Sequence, residues 1–396
     1  MNILIITSLY PTDDNSFKDK TKAIHYFAKI WSKNGNSVKV IKLNTKFPLF
    51  LDLLNTSRCI SNSYWIDDIE VFNISITRFP KYHASNFFVN KTIKGINRKL
   101  SSIVASADSI VSHMGNPSLK IGCAIKNKYN KPLIFTLHNS DIFYLRGASK
   151  RKKDEYLSHL LKVDKIGFRS NSIEEKFDDL NLSNYEYKNR FIIPSGVQSK
   201  YILTKDEVKK KVNIKTKKIL FAGQLIPLKK VDVLIGAFSK LIKDNNDIEL
   251  IIIGDGKERE KLETLVKKLN LRNSIIFKGI LSRDETLQEM EKSDVFAMVS
   301  SPETFGLVYV EALAKGCIVI GSKGEGIDGT IHHGENGFLC TPNDERELYL
   351  TLKKALELNF EEKYNILSNA NVLVHKYSQE KLANEYLGNI LGLLDV

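Results

Sequence analysis

Short apolar runs, each followed by a longer stretch with helical spacing, recur along this 396-residue chain. That alternation limits the fold more than any other feature. A run of five or six apolar residues buried on both faces is a parallel strand, and parallel neighbours need a helical crossover between them. In the first half strands are expected at Asn2–Thr7, Ser37–Leu43, Ile69–Ile76, Ser109–Ser112, Leu133–Leu137, Lys165–Phe168 and Arg190–Ile193. In the second half they are expected at Lys218–Ala222, Glu249–Ile253, Ser274–Lys278, Val295–Val299 and Cys317–Gly321. A helix from about Lys18 to Asn34 places Ile24, Phe27 and Trp31 on one face before Gly35 stops it. Residues Asn44–Asp68, with an apolar patch at Phe47-Pro48-Leu49-Phe50-Leu51, read as irregular. The β-α-β order therefore runs twice, as in an α/β chain of two doubly wound domains, and the length suffices for two full cores.

The net charge of +13 is unevenly placed. Residues 1–200 carry 31 Lys and Arg against 17 Asp and Glu, a net of +14, while the remainder carries 28 against 29, a net of −1. A basic half joined to a neutral one points to an anionic partner for the first half: a membrane surface, a diphosphate-bearing lipid or a nucleic acid. No helix-turn-helix, zinc-finger or ribonucleoprotein-type aromatic motif accompanies the charge, so nucleic acid is the least supported of the three. No signal-peptide pattern appears, and no apolar run is long enough to cross a bilayer. Cys59, Cys123, Cys317 and Cys340 show no C-x-x-C spacing, which argues against a metal knuckle or a disulfide framework and fits a reducing cytoplasm.

Chemistry concentrates at Val299–Gly316, VSSPETFGLVYVEALAKG. Pro302 cannot continue a sheet interior, and Gly316 after Ala314-Lys315 is a helix stop. Glu303 then falls in a loop at the carboxyl end of a strand, a helix begins near Gly306, and Glu311 lies on its apolar face. A buried carboxylate is costly unless something hydrogen-bonds to it. Either the hydroxyls of a bound ligand supply that partner, or a buried Arg or Lys does, with Glu303 no more than a helix-capping acid. The helix N-terminus, opened by small Gly306, offers N–H groups to an anion such as phosphate.

This stretch, continued through GSKGEGIDGTIHHGENGFLCTPND, resembles the E-x7-E element of retaining glycosyltransferases of family 4, which have the two-domain GT-B fold. The resemblance covers nearly the whole chain, most strongly Gly279–Asp344 and least Asn44–Ile103. It implies two facing Rossmann-like domains with an interdomain cleft: residues 1–197 for the acceptor, 198–377 for the donor, and 378–396 as a helix returning to the first domain. It implies a nucleotide-diphosphate sugar donor, foremost a UDP-sugar, with no cofactor and no metal. Glu311 would hold the ribose hydroxyls and Glu303 those of the reacting sugar. Phe305, Gly306 and Leu307 would join the donor site, where N–H groups around Gly306-Leu307 face the departing diphosphate. FAGQLIPLKKVDVLIGAFSKL resembles the family's donor-phosphate segment, in which an Arg and a Lys commonly hold the diphosphate. Lys229 matches the Lys, Gln224 stands in place of the Arg, and Lys230 replaces a common Gly. Gln cannot neutralise charge, so Lys229, helped by Lys230, must carry more of it. Gly279-Ile280 would hold the nucleobase through backbone, where a side chain would block approach.

In the first half, His138-Asn139-Ser140-Asp141 closes the strand Leu133–Leu137. It looks like the family's strand-end His, which faces the donor sugar and is counted here with Glu303 and Lys229 as catalytic; the alternative is a His bonded to a loop carbonyl. The first loop, Asp14-Asn15-Ser16-Phe17, lacks the glycines usual in the family. Phe87, Phe88, Ile93 and Ile96 mix with Lys91, Lys94, Arg98 and Lys99 as in a basic amphipathic helix that meets a membrane or an acceptor, or as in an ordinary helix with solvated charges. Arg146 and Lys150-Arg151-Lys152-Lys153 form the densest basic cluster, placed for a phosphate on the acceptor or simply an exposed helix start. Pro194-Ser195-Gly196-Val197 resembles the family's domain crossover. His332 and His333 have no carboxylate cluster around them for a metal. The resemblance and the charge together imply a transferase acting on a lipid-linked saccharide at the inner face of a bacterial cytoplasmic membrane, as in surface-polysaccharide assembly. A non-catalytic GT-B subunit partnering an active transferase is the alternative consistent with Gln224.

Overall fold

The structure, a computed structural model, describes residues 1–12, 22–46, 60–77, 86–180, 182, 189–214, 216–244 and 247–394. The loop Asp14–Phe17, the helix start near Lys18, the patch Phe47–Leu51 and Cys59 lie outside the described residues. The chain forms two compact units: residues 1–169, 173–193 and 380–396 make the first, and 170–172 with 194–379 make the second.

The first part of the chain runs β1 (Asn2–Thr7), α1 (Ala23–Lys33), β2 (Ser37–Lys46), β3 (Ile60–Ile66), β4 (Ile69–Thr77), α2 (Asn86–Lys99) and α3 (Ser101–Ser106). It continues through β5 (Ser109–His113), α4 (Lys120–Tyr129), β6 (Leu133–Leu137), α5 (Asn139–Gly147), α6 (Lys150–Leu160), β7 (Lys165–Phe168), α7 (Asn171–Asp178) and β8 (Arg190–Ile192). The eight strands lie in the order β3-β4-β2-β1-β5-β6-β7-β8, all parallel except the antiparallel β3–β4 pair. Ile3, Leu4, Ile5 and Ile6 of β1 and all of β6 are buried, as strands covered on both faces must be. The expectation of an irregular Asn44–Asp68 is corrected: β2 continues to Lys46, and β3 occupies Ile60–Ile66. As an edge strand, β3 has one paired neighbour and leaves Trp65 exposed, so it lacks the continuous apolar run that marks the others.

The second part runs α8 (Lys205–Asn213), β9 (Lys218–Ala222), α9 (Val231–Asp244), β10 (Glu249–Ile253), α10 (Arg259–Lys268), β11 (Ile275–Gly279) and α11 (Arg283–Glu291). Then follow β12 (Val295–Ala297), α12 (Leu307–Ala314), β13 (Ile318–Ser322), β14 (Phe338–Cys340), α13 (Glu345–Glu357), α14 (Phe360–Lys376) and α15 (Gln379–Leu391). Its six strands are parallel in the order β11-β10-β9-β12-β13-β14. The order reverses between β9 and β12. In an open α/β sheet the loops leaving the strand ends at such a reversal diverge and leave a crevice for ligands. At the opposite end, buried Lys363 of α14 holds Asp294 at 2.9 Å, and Asp294 also accepts the N–H groups of Thr216 and Lys217. Removing one partner of such a buried pair typically costs about 3–5 kcal/mol.

Helix α15 packs into the first unit. The indole N–H of Trp31 donates to the Ala383 carbonyl at 2.8 Å, and Tyr386 sits fully buried with its hydroxyl 2.7 Å from Thr136 Oγ1. Among the described residues no helix is long and apolar enough to cross a membrane.

Candidate active site

Two loops leave the β9/β12 reversal in the second unit. The one after β9 carries Gln224 and a short helical turn, Pro227–Lys229. The one after β12 carries Glu303 and leads into α12. They are joined along the backbone, since the Ser301 N–H donates to the Leu228 carbonyl at 2.9 Å. Their side chains meet as well: Lys229 Nζ lies 2.6 Å from Glu303 Oε2. The Glu303 carboxylate is 13% exposed and almost fully engaged. Oε2 also accepts the Ser300 hydroxyl at 3.1 Å, and Oε1 accepts the Thr304 N–H at 3.1 Å.

A third carboxylate stands behind Glu303. Glu325 accepts the Glu303 N–H at 3.0 Å and the Ser301 hydroxyl at 2.8 Å, which fixes the Pro302-Glu303 segment from the loop after β13. Gly306 precedes α12 with φ 76°, and a Cβ there would come within 2.4 Å of the Tyr309 ring. Both the backbone conformation and the packed ring therefore require glycine at this helix start. Phe305 is 3% exposed and stacked on Tyr377, ring centroids 5.7 Å apart. Its ring belongs to the core, so only its backbone is available to a ligand. Leu307 opens the helix and is half-buried.

Glu311 follows one turn along α12, 12% exposed, with Oε1 2.8 Å from Arg283 Nη2. Burial raises its pKa, and Arg283 offsets only part of that rise. The partner that the sequence left open between a ligand and a buried cation is thus, in this structure, Arg283 at the start of α11. The Arg283 guanidinium also lies 5.6 Å from the Tyr201 ring. Gly279 has φ 68°, and its carbonyl accepts the Gly254 N–H at 2.7 Å. A Cβ at Gly279 would meet Arg259 Nη1 at an ordinary 3.6 Å, so the protein itself leaves room for one. Its left-handed backbone by itself favours glycine. Ile280 beside it is exposed, as is Gln224.

In the first unit His138 caps α5 at the end of β6, and its Nε2 lies 3.3 Å from Nδ1 of His113 on β5. Burial, with Arg169 adding to it, lowers the His138 pKa to about 3. Burial likewise holds His113 well below the usual imidazole range. Asp141 closes the cap by accepting the His138 N–H at 2.8 Å and the Gly115 N–H at 2.6 Å, while burial raises its pKa to about 6. On the outer face, Lys94, Arg98 and Lys99 of α2 are exposed and Lys91 is half-buried. Arg146, Lys150, Arg151 and Lys152 are exposed and Lys153 is half-buried. Asn86 Nδ2 at the start of α2 donates to Glu155 of α6 at 3.0 Å, which joins these two basic helices. Phe87 on α2 is 68% exposed, and Phe143 on α5, the helix that carries Arg146, is 52% exposed.

Among the described residues no group of three His, Cys, Asp or Glu is placed to hold a metal ion. A cavity of about 430 Å³ does exist in the second unit, lined by Lys217, Leu241, Asp294 and Lys363 among others. It opens at the amino ends of the strands, away from the loops that carry Glu303 and Lys229, and its lysines are taken up in ion pairs.

Residues 204–375 match the family described as Glycosyl transferases group 1. An uncharacterized glycosyltransferase of Methanocaldococcus jannaschii is 32% identical over 321 residues, covering 80% of this chain and 84% of that protein. The chain is a group 1 glycosyltransferase. An alpha-monoglucosyldiacylglycerol synthase of Acholeplasma laidlawii shares 25% identity over 355 residues, 83% of this chain and 86% of its own length. Among solved structures, Anabaena HepE in complex with UDP superimposes with a TM-score of 0.72 at 20% identity, covering 99% of this chain and 100% of that one. HepE has also been solved with UDP-glucose. At that identity the likeness establishes the GT-B fold, with its two parallel-sheet Rossmann-like domains.

Arg283, Glu325, Ser300 and His113 escaped the sequence reading of this transferase. A capping box, Ser282 with Glu285, marks the helix start that carries Arg283, and a buried Glu311 called for a cation, but no spacing in the chain links the two. Glu325 lies in the noted GEGI segment, and only the pairing of β12 with β13 brings it behind Glu303.

Proposed function

We propose that this chain is a retaining, metal-independent family 4 transferase that moves a sugar from a UDP-sugar to a lipid-linked saccharide in surface-polysaccharide assembly. It does so from the inner face of the cytoplasmic membrane, resting on anionic lipid. The observation that carries the reading is the 2.6 Å pair of Lys229 and Glu303 at the β9/β12 reversal. As the glycosidic bond breaks, negative charge grows on the departing diphosphate and positive charge at the anomeric carbon. A cation and a carboxylate held on adjoining loops are the groups that can meet these two charges. In this reading Lys229 leaves Glu303 for the diphosphate, joined by the N–H groups around Gly306-Leu307, and Glu303 turns to the sugar hydroxyls. Glu311, paired with Arg283, takes the ribose hydroxyls, and the backbone at Gly279-Ile280 takes the base. His138, neutral at working pH, offers the sugar one hydrogen bond without a charge.

The UDP and UDP-glucose complexes of HepE support the donor class, and the name of the Acholeplasma relative supports a lipid acceptor. Exposed Phe87 and Phe143 among Lys94, Arg98, Lys99, Arg146, Lys150, Arg151 and Lys152 support contact with anionic lipid. The test is turnover of a panel of UDP-sugars with lipid-linked acceptors in chelator, with the anomeric configuration of the product read by NMR. Retained configuration supports the reading and inversion overturns it. UDP binding with no turnover of any donor would favour the non-catalytic partner subunit, for which the neutral Gln224 speaks. Sedimentation with vesicles tests the membrane contact. Binding should need anionic lipid, and each of Lys94, Arg98 and Lys99 replaced by Ala should weaken it by about 1 kcal/mol.

A further inference from the structure

Lys230 stands between the turn Pro227–Lys229 and α9 with a left-handed backbone, φ 52° and ψ 39°. A side chain in this region is crowded by its own backbone, and glycine takes the conformation without that penalty. A lysine is held here nonetheless, six residues after a neutral and exposed Gln224. Among the described residues the Lys230 ammonium has no ion-pair or hydrogen-bond partner, whereas its neighbour Lys229 is engaged by Glu303. The loop that carries both is fixed by the Ser301-to-Leu228 backbone bond, so the two lysines are presented from a rigid base.

We infer that Lys230 binds the donor's diphosphate and supplies the positive charge that Gln224 does not. This rests on the nucleotide-sugar reading given above. Lys229 must give up Glu303 before it can meet a phosphate, but Lys230 has no partner to give up. The strained lysine is thus a second cation of the diphosphate site, moved along the loop from the Gln224 position.

Calorimetry with UDP on the parent, K230G, K230N, K230R and the double variant Q224R/K230G tests this. K230G and K230N should bind UDP about tenfold more weakly, the scale of one charge-assisted hydrogen bond lost, while K230R stays within about threefold of the parent. Q224R should restore the affinity lost in K230G. Meanwhile K230G should melt at or above the parent temperature, by up to about 4 °C, because the strain is gone. Weaker binding together with an undiminished melting temperature is not what a merely structural lysine would give. UDP affinity in K230G within twofold of the parent would overturn the inference, as would failure of Q224R to restore it. If the parent itself binds no nucleoside diphosphate, the donor reading falls, and this inference falls with it.

Discussion

At the carboxyl end of β12 the Glu303 carboxylate is gripped by Lys229, Ser300 and the Thr304 N–H. At the carboxyl end of β6, His138 faces His113 with both rings held neutral by burial. Both places are ends of parallel strands, where α/β folds bind ligands. The second unit answers buried charge with opposite charge, Lys229 for Glu303 and Arg283 for Glu311. The first unit holds the rings at its strand ends neutral beside one buried cation, Arg169 after β7, and carries much of its charge on the surfaces of α2, α5 and α6. The difference matches the chemistry proposed. Charge separates where the diphosphate leaves, and the first unit needs only to hydrogen-bond hydroxyls within and to meet an anionic surface without.

The comparison is broken most easily at Glu303. Replacing it with Gln should lower kcat by roughly 100-fold or more, since its contact with the reacting sugar tightens as positive charge develops. Donor affinity should stay within a few-fold. Steady-state kinetics with a direct donor titration checks this, and an unchanged kcat would remove Glu303 from the chemistry. Next in size, Lys229→Ala should lose about 2 kcal/mol of UDP binding by calorimetry, and Gln224→Ala should lose less. Equal losses would mean that the diphosphate does not distinguish the charged from the neutral position.

Glu311→Gln should act differently from Glu303→Gln. The ribose is unchanged in the transition state, so losing its contact removes uniform binding and raises KM for the donor on the order of 10-fold, with kcat kept. Because Gln would also leave Arg283 without its carboxylate, the melting temperature has to be compared with the parent's. A kcat loss in Glu311→Gln as large as that in Glu303→Gln would make the two carboxylates one functional unit.

How much of this was legible follows from what fixes each element. The runs Asn2–Thr7, Leu133–Leu137, Lys165–Phe168, Lys218–Ala222 and Glu249–Ile253 are strands with those very bounds. Burial on both faces keeps their interiors apolar, and the less buried Asn2, Lys165, Lys218 and Glu249 mark where four of them begin. The edge strand β3 was missed because one exposed side permits Ser63 and Trp65 within it. In the site, Glu303 and Lys229 were each visible in their own motif, but their contact spans 74 positions and depends on β9 lying beside β12. Arg283 was invisible for a related reason: its role exists only through the packing of α11 against α12.

The smallest effect belongs to the neutral pair of the first unit, through stability against pH. His113 and His138 have folded pKa values depressed by burial, His138 to about 3, against about 6.5 in the unfolded chain. Below about pH 6.5 the unfolded chain takes up protons that the folded rings refuse, so stability present at neutral pH is lost as pH falls. The slope reaches at most about 1.4 kcal/mol per pH unit for each fully buried ring. Asp141 works the other way. Its pKa is raised to about 6 in the fold against about 3.9 unfolded, so between those values the folded form takes up a proton first and gains stability as pH falls. The opposing contributions leave a shallow decline. Urea unfolding at pH 7.5, 6.5 and 5.5 should show a flatter profile for His113→Asn than for the parent, and a steeper one for Asp141→Asn. If both variants parallel the parent, the strand-end groups of the first unit are not held as described, and its contrast with the charged site around Glu303 disappears.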